Sequence, residues 1–175
     1  MGVEKRTGNL GPIVASSHLA SGAMPSLSEM EYALIVTSNA FNRWQSRCMD
    51  AAGLTGMTSL EIQVLHWTYH RNREKTLGDL CLMLNVEDTH LVSYAIKKLV
   101  GLDLISPGKR GKEKTVAITD TGRQACERYK EVREGLLVKS VLAMGIDENE
   151  MSKIAEMLRT ISGQYDQASR GAASL

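Results

Sequence analysis

The chain has 175 residues, 43% of them hydrophobic and 23% charged, enough apolar content for one packed core and too much for disorder throughout. The formal net charge is only +1, but between Lys97 and Lys114 the cations Lys97, Lys98, Lys109, Arg110, Lys112 and Lys114 face only Asp103 and Glu113. Phosphate binding depends on how many cations approach a backbone together, so this local density matters more than the total.

In chain order, residues 1–25 mix Gly2, Gly8, Gly11, Pro12, Gly22 and Pro25 with short polar stretches, which predicts a flexible arm without a regular helix. Its piece from Pro12 to Leu19 has two readings, a short extended contact across a dimer or partial disorder. Nothing near the N-terminus joins a basic segment to an uninterrupted apolar core, and no run approaches membrane-spanning length. The expectation is a soluble, unexported protein of the cytoplasm with no membrane partner.

Four helix starts pair a capping side chain with an acid three residues later: Ser26 with Glu29, Thr58 with Glu61, Thr76 with Asp79, and Asp147 with Glu150. The first helix, within 26–57, repeats Met30, Leu34, Thr37, Phe41, Trp44 and Cys48 at spacings of four and three, and ends at Gly53. The second carries Leu60, Val64, Leu65, Trp67 and Thr68 before a polar loop from Arg71 to Lys75. Thr76 then caps a helix with Leu77, Leu80 and Leu84, which Asn85 and Val86 interrupt. The next helix, from Asp88 to Val100, has Leu91, Val92, Ala95, Ile96 and Leu99 inward, leaving Thr89, His90, Ser93, Tyr94, Lys97 and Lys98 outward. Two β-prone runs, Leu102 to Ser106 and Thr115 to Thr119, flank a cationic tip from Pro107 to Lys114.

Helix, turn, helix, basic hairpin, helix is the layout of a winged helix-turn-helix, here expected over 58–122 in a mainly α, α+β fold. A helix fits the major groove, so Thr89, His90, Ser93 and Tyr94 are the candidate base readers, with Lys97 and Lys98 on phosphates. Arg110 at the wing tip can enter a minor groove, with Lys109, Lys112 and Lys114 along the backbone. Glu87 and Asp88 oppose this, because an acid facing phosphate repels it; one of them has a structural use in capping the recognition helix. Beyond the wing, over 123–175, a long helix from Thr119 or Asp120 runs through Tyr129, Val132, Leu136 and Val141 to Gly145. A last helix places Met151, Ile154, Leu158, Ile161 and Tyr165 on one seam. These stripes need partners, and with Met30 and Leu34 of the first helix they fit either an enlarged monomeric core or a two-fold dimer.

The run Val116-Ala117-Ile118-Thr119-Asp120-Thr121-Gly122-Arg123 resembles the passage from second wing strand into long helix in the MarR family of bacterial transcription regulators, there written Leu-Thr-Glu-x-Gly. The resemblance extends from about Ser26 to Gln167. It implies two helices before the winged unit and dimerising N- and C-terminal helices around it. Functionally it implies a homodimer that binds a pseudo-palindromic operator on double-stranded DNA and acts as a repressor. The chain departs from the family pattern in lacking an Asp-x-Arg-Arg wing element. It also has Glu87-Asp88 where small hydroxyl residues are usual, and a recognition-helix region about one residue longer.

Four other features admit more than one reading. His66 and His70, four apart, place two imidazoles on one helix face, but with no third ligand placed, no metal is assigned. Cys48, Cys81 and Cys126 are odd in number and widely spaced, which points to reduced thiols; Cys48 or Cys81 as a redox switch stands beside plain burial, which is favoured. Trp44, Met49 and Trp67 read equally as an effector pocket for a small molecule or as core packing. No glycine-rich phosphate loop or Gly-x-Ser-x-Gly elbow is present, so neither an enzyme nor a cofactor is expected. The competing function is a winged-helix protein-interaction module that reads no DNA.

Overall fold

The structure, a computed structural model, describes residues 11–175; the first ten residues of the predicted arm lie outside it. Two compact units divide the chain, one ending at Tyr129 and one spanning Lys130–Leu175. Within the described arm a single 3-10 turn, Leu19–Ser21, is tied to the first long helix through Ser28, whose hydroxyl donates to the Leu19 carbonyl at 2.6 Å.

In the first unit, α1 spans Pro25–Ala51 and α2 Ser59–Tyr69, followed by the two-residue strand β1, Lys75–Thr76. The helix-turn-helix pair is α3, Leu77–Leu84, and α4, Thr89–Gly101; the hairpin strands are β2, Ile105–Arg110, and β3, Glu113–Ile118, and α5 begins at Asp120 and runs to Arg133. The sheet is antiparallel in the order β1, β3, β2. Three of the four expected capping boxes form. Thr58 accepts the Glu61 N–H at 3.3 Å while Glu61 accepts the Thr58 N–H at 2.8 Å. Thr76 and Asp79 do the same at 3.1 and 2.8 Å, as do Asp147 and Glu150 at 2.8 and 3.5 Å. Each reciprocal pair satisfies two amides that a helix start leaves open. The Ser26 cap does not form: α1 starts at Pro25, two residues before a Ser26 cap would begin it, with Met24 before it and no side-chain cap. Proline's fixed φ and absent N–H suit the first helical position, so Ser26 is already inside the helix.

α3 ends on Asn85 at φ 52, a left-handed C-cap. Three residues later Asp88 starts α4 by accepting the His90 N–H at 2.9 Å, so Asp88 is the structural member of the acidic pair. Ile62, Val64 and Leu65 of α2, Val92 and Leu99 of α4, and Leu104 and Ile105 at the start of the hairpin are all 1% exposed or less. α2 is thus the central post, against which α1, α3, α4 and β3 pack.

Two expectations about faces and boundaries are corrected. Leu91, read as inward, is half exposed; α4 needs only the narrow arc of Val92, Ala95 and Leu99 to cover its neighbours. The wing strands are also shifted toward the tip from their β-prone runs: β2 begins at Ile105 and leaves Leu102, Asp103 and Leu104 in the preceding turn, and β3 ends at Ile118. Pro107, Gly108, Lys109 and Arg110 are paired strand residues opposite Val116, Thr115, Lys114 and Glu113, and only Gly111, at φ 63, and Lys112 make the turn. β2 is an edge strand, where proline's missing donor disrupts no second ladder. The hairpin then enters α5 through Thr119, whose hydroxyl donates to the Asp103 carbonyl at 2.7 Å and accepts the Gly122 N–H at 3.0 Å. A side chain at Gly122 would collide with the Leu104 carbonyl and the Ile118 side chain, which is the physical content of the Thr-x-x-Gly spacing.

In the second unit, the chain continues through a π-helical turn, Glu134–Val138, and α6, Lys139–Ala143, reaches Gly145 at φ 76, and enters α7, Glu148–Ala172. The expected seam is present and open: Met151, Ile154, Leu158 and Tyr165 are exposed, Ile161 is half-buried, and α7 has no buried residue. In the first unit, Met30 and Leu34 of α1 are half-buried, and Leu27, Ile35, Val36 and Phe41 on the same helix are exposed.

Candidate nucleic-acid interface

The outward arc of α4 carries Thr89, His90, Tyr94 and Lys97, all exposed. The Lys97 ammonium lies 5.3 Å from the centre of the Tyr94 ring, a cation–π approach that holds two long side chains together on the outer face. Ser93 sits to one side, half-buried, lining a small crevice with Lys75, Ile96, Lys114 and Val116.

Lys98 has a different employment from the one its sequence position suggests. Its ammonium donates to Glu61 at 2.8 Å and to the Gly56 carbonyl at 2.7 Å, clasping the end of α4 to the start of α2. Glu61, already a member of the Thr58 capping box, is largely buried at 14% side-chain exposure, so this pair is better shielded than a surface ion pair.

On the wing, Lys109, Arg110, Lys112 and Lys114 are all exposed. Lys109 and Lys114 stand opposite each other across the hairpin, a like-charge pairing that costs stability in the free protein and that a bound anion would relieve. Arg110 pairs with Glu113 at 3.3 Å, both well exposed, an interaction weak enough in water to be exchanged for another anion.

The histidines, cysteines and tryptophans resolve differently. Cys48, Cys81 and Cys126 are free and buried. Cys48 donates its thiol to the Tyr129 carbonyl at 3.5 Å, and burial, reinforced by Glu127, pushes the Cys126 thiol up to about 12, far from reactive. His66 presents its edge to the Tyr129 ring, centroids 4.7 Å apart. His70 meets Trp67 at 5.0 Å, so each imidazole has its own aromatic neighbour, and among the described residues no His, Cys, Asp and Glu cluster could hold a metal ion. Of Trp44, Met49 and Trp67, Met49 is fully buried in the core, Trp44 is half-buried, and Trp67 lines a concavity with Arg71, Arg73 and Lys75.

Sequence reasoning passed over that concavity, because it is made by the loop it read only as polar. Arg71, Arg73 and Lys75 gather there with Arg110. The adjacent basic run was the available signal, but a run of charges does not disclose which way its side chains turn.

Residues 57–122 match the family described as Winged helix DNA-binding domain. Over this stretch the chain has the winged-helix fold. AbfR of Staphylococcus epidermidis is similar in structure with a TM-score of 0.65 at 15% identity, over 83% of this chain and 94% of that one. A transcriptional regulator of the MarR family from Rhodococcus sp. RHA1 gives 0.62 at 13% identity, over 76% and 91%. MepR of S. aureus, in a complex with DNA, gives 0.61 at 16% identity, over 77% and 96%. The fold of these three structures therefore covers about three quarters or more of the chain, beyond the matched domain. Comparison with curated proteins finds no match. No helix among the described residues is long and apolar enough to cross a membrane.

Proposed function

We propose that the protein is a transcription regulator of the MarR type that binds a pseudo-palindromic operator as a homodimer and represses transcription. The observation that carries this reading is the exposed arc Thr89, His90, Tyr94 and Lys97 on α4 beside a hairpin whose four cations are all exposed. Outward polar side chains on a groove-sized helix read base edges, and a cationic wing beside it fixes register on the backbone. Lys98 is left out of the phosphate set because its charge is committed to Glu61. The DNA complex of MepR, similar in fold, supports DNA as the partner. The exposed seam of α7 and the apolar positions of α1 support the dimer, since patches of this kind on a soluble chain mark interaction surfaces.

Replacing Lys109, Arg110, Lys112 and Lys114 together with alanine tests the reading. Duplex affinity should fall on every sequence, and the slope of log K against log salt should become shallower by about 0.9 for each phosphate that the wing no longer neutralises. An unchanged slope and affinity would remove the wing from the mechanism. A wild-type protein without salt-dependent affinity for any duplex would favour a protein-interaction module.

A further inference from the structure

In the first unit, a concavity of about 820 Å³ opens between the loop after α2, the start of α3 and the wing strand β2, a size within the range of small-molecule sites. Its walls combine Trp67 and Met83 with Arg71, Arg73, Lys75 and Arg110, against the carboxylates of Glu74 and Asp79.

The loop that forms it is held in a costly shape. Arg71 and Asn72 adopt φ 58 and φ 47 in succession, the left-handed region that non-glycine residues seldom enter and that persists only where surroundings impose it. Those surroundings are identifiable. The Lys75 ammonium, on a residue only 7% exposed, donates to the carbonyls of His70 at 2.9 Å and Arg73 at 2.6 Å, and Arg123 donates to the Asn72 side chain at 3.3 Å. Lys75 is thus used as an internal knot.

Both carboxylates of the lining are also occupied. Asp79 accepts the Thr76 N–H, and Glu74 accepts the Thr115 hydroxyl at 3.0 Å. Arg71 and Arg73, by contrast, are exposed and have no ion pair or side-chain hydrogen bond to any described residue. Arg110 has an exposed pairing with Glu113 and lies near enough to Asp79 to help lower that carboxyl's pKa, with no side-chain hydrogen bond to either carboxylate of the lining.

We propose that this concavity binds a small ring-bearing polyphosphate, with its oxyanions on Arg71, Arg73 and Arg110 and its flat ring against Trp67. Guanidinium forks match phosphate oxygens in pairs, and three of them around one hollow exceed what a single monoanion can engage. Trp67 and Met83 supply the apolar surface that a bare inorganic anion would leave unused. A duplex backbone is the other source of phosphates, but its convex surface suits an exposed ridge better than a hollow with a half-buried indole in its wall.

The chain has two tryptophans, so Trp44→Phe makes the emission of Trp67 a local reporter in the full-length protein, read with no DNA present. Titration with ADP should give a saturable change. Adenosine and pyrophosphate, each offering half of the chemistry, should bind about tenfold or more weakly. Arg71→Asn with Arg73→Gln, which keeps a residue tolerant of left-handed backbone at 71, should weaken ADP by at least about tenfold while leaving circular dichroism and duplex affinity unchanged. Arg73→Gln alone, at a site of ordinary extended backbone, gives the same direction if the double variant misfolds. No saturable response to ADP would overturn the proposal, as would pyrophosphate binding equal to ADP. A loss of duplex affinity in the arginine variants, with a matching Trp67 response to duplex, would overturn it in favour of DNA phosphates as the occupant.

Discussion

His66 should make this protein lose stability as pH falls, and His66→Phe should remove that dependence. Its Nε2 is buried without a hydrogen-bond partner, and the ring meets the Tyr129 ring edge-on. Desolvation lowers its pKa below the ordinary 6.5. The unfolded chain therefore takes up the proton more readily than the folded one, so the stability that neutral His66 allows is complete above about pH 6.5 and declines as pH falls below it. The ceiling on this loss follows from the unfolded imidazole alone: between pH 7.5 and 5.5 it is about 1.4 kcal/mol. At neutral pH, phenylalanine keeps the aromatic contact and removes the orphan nitrogen, whose desolvation costs about 1–3 kcal/mol, so the variant should be no less stable than wild type. Urea unfolding of both proteins at the two pH values measures the effect directly. The other three histidines, His18, His70 and His90, are common to both proteins and cancel in the difference. Equal pH slopes for the two proteins, or a variant destabilised at neutral pH, would refute the buried, unpaired imidazole.

Further outcomes follow from other parts of the structure. Gly122→Ala should destabilise the winged unit by about 3 kcal/mol or more, since its methyl meets the Leu104 backbone and not a movable side-chain end; thermal melting checks this. Lys98→Ala should lower the unfolding midpoint, leaving Glu61 partly buried without its cation at a cost of about 1–2 kcal/mol. It should leave the salt slope of duplex binding unchanged, and a slope shallower by about one would return Lys98 to the phosphate contacts. Ile154→Asp with Leu158→Asp places two charges on the open seam of α7 and should yield monomers in sedimentation with helicity retained by circular dichroism. Such monomers should bind an operator at least about a hundredfold more weakly, because the second half-site contact is no longer tethered to the first.

What could be read from the chain alone divides along a physical line. Capping boxes are local chemistry, and Thr58, Thr76 and Asp147 each form theirs with the acid three residues on. Ser26 carries the same pattern and fails because the preceding proline already supplies the helix start. The wing was legible in its β-branched core but not in its length, since Pro107 and Gly108 read as turn residues until β2 is known to be an edge strand. Periodicity likewise identified the inner face of α4 but made it one residue too wide at Leu91, because the width of a buried arc depends on how closely the neighbouring helices approach. The outward arc Thr89, His90, Tyr94 and Lys97 needs only helical spacing to be seen, and it is exposed as expected, whereas Ser93, read with it, is half-buried.

Long cations obey no such local rule, and they account for the larger departures in the candidate site. Lysine and arginine reach several ångströms from their backbone, so a position in sequence fixes the charge but not the partner. Lys98 shares α4 with Lys97, yet one lies by Tyr94 on the outer face and the other bridges to Glu61, 37 residues earlier. Lys75 looks like one more charge in a polar loop, yet it is buried and bonded to two backbone carbonyls. That burial shapes the loop around Arg71 and Arg73 and brings them to the hollow that Arg110 also lines. A charge cluster in the sequence thus separates in three dimensions into cations that hold the fold and cations left open to a partner. Only the second group can displace counterions from a nucleic acid or meet a small anion, and Arg110 belongs to both the wing and the hollow. Under the two proposals above, occupation of the hollow and engagement of the wing would compete for one guanidinium, a direct physical means for the two sites to influence each other.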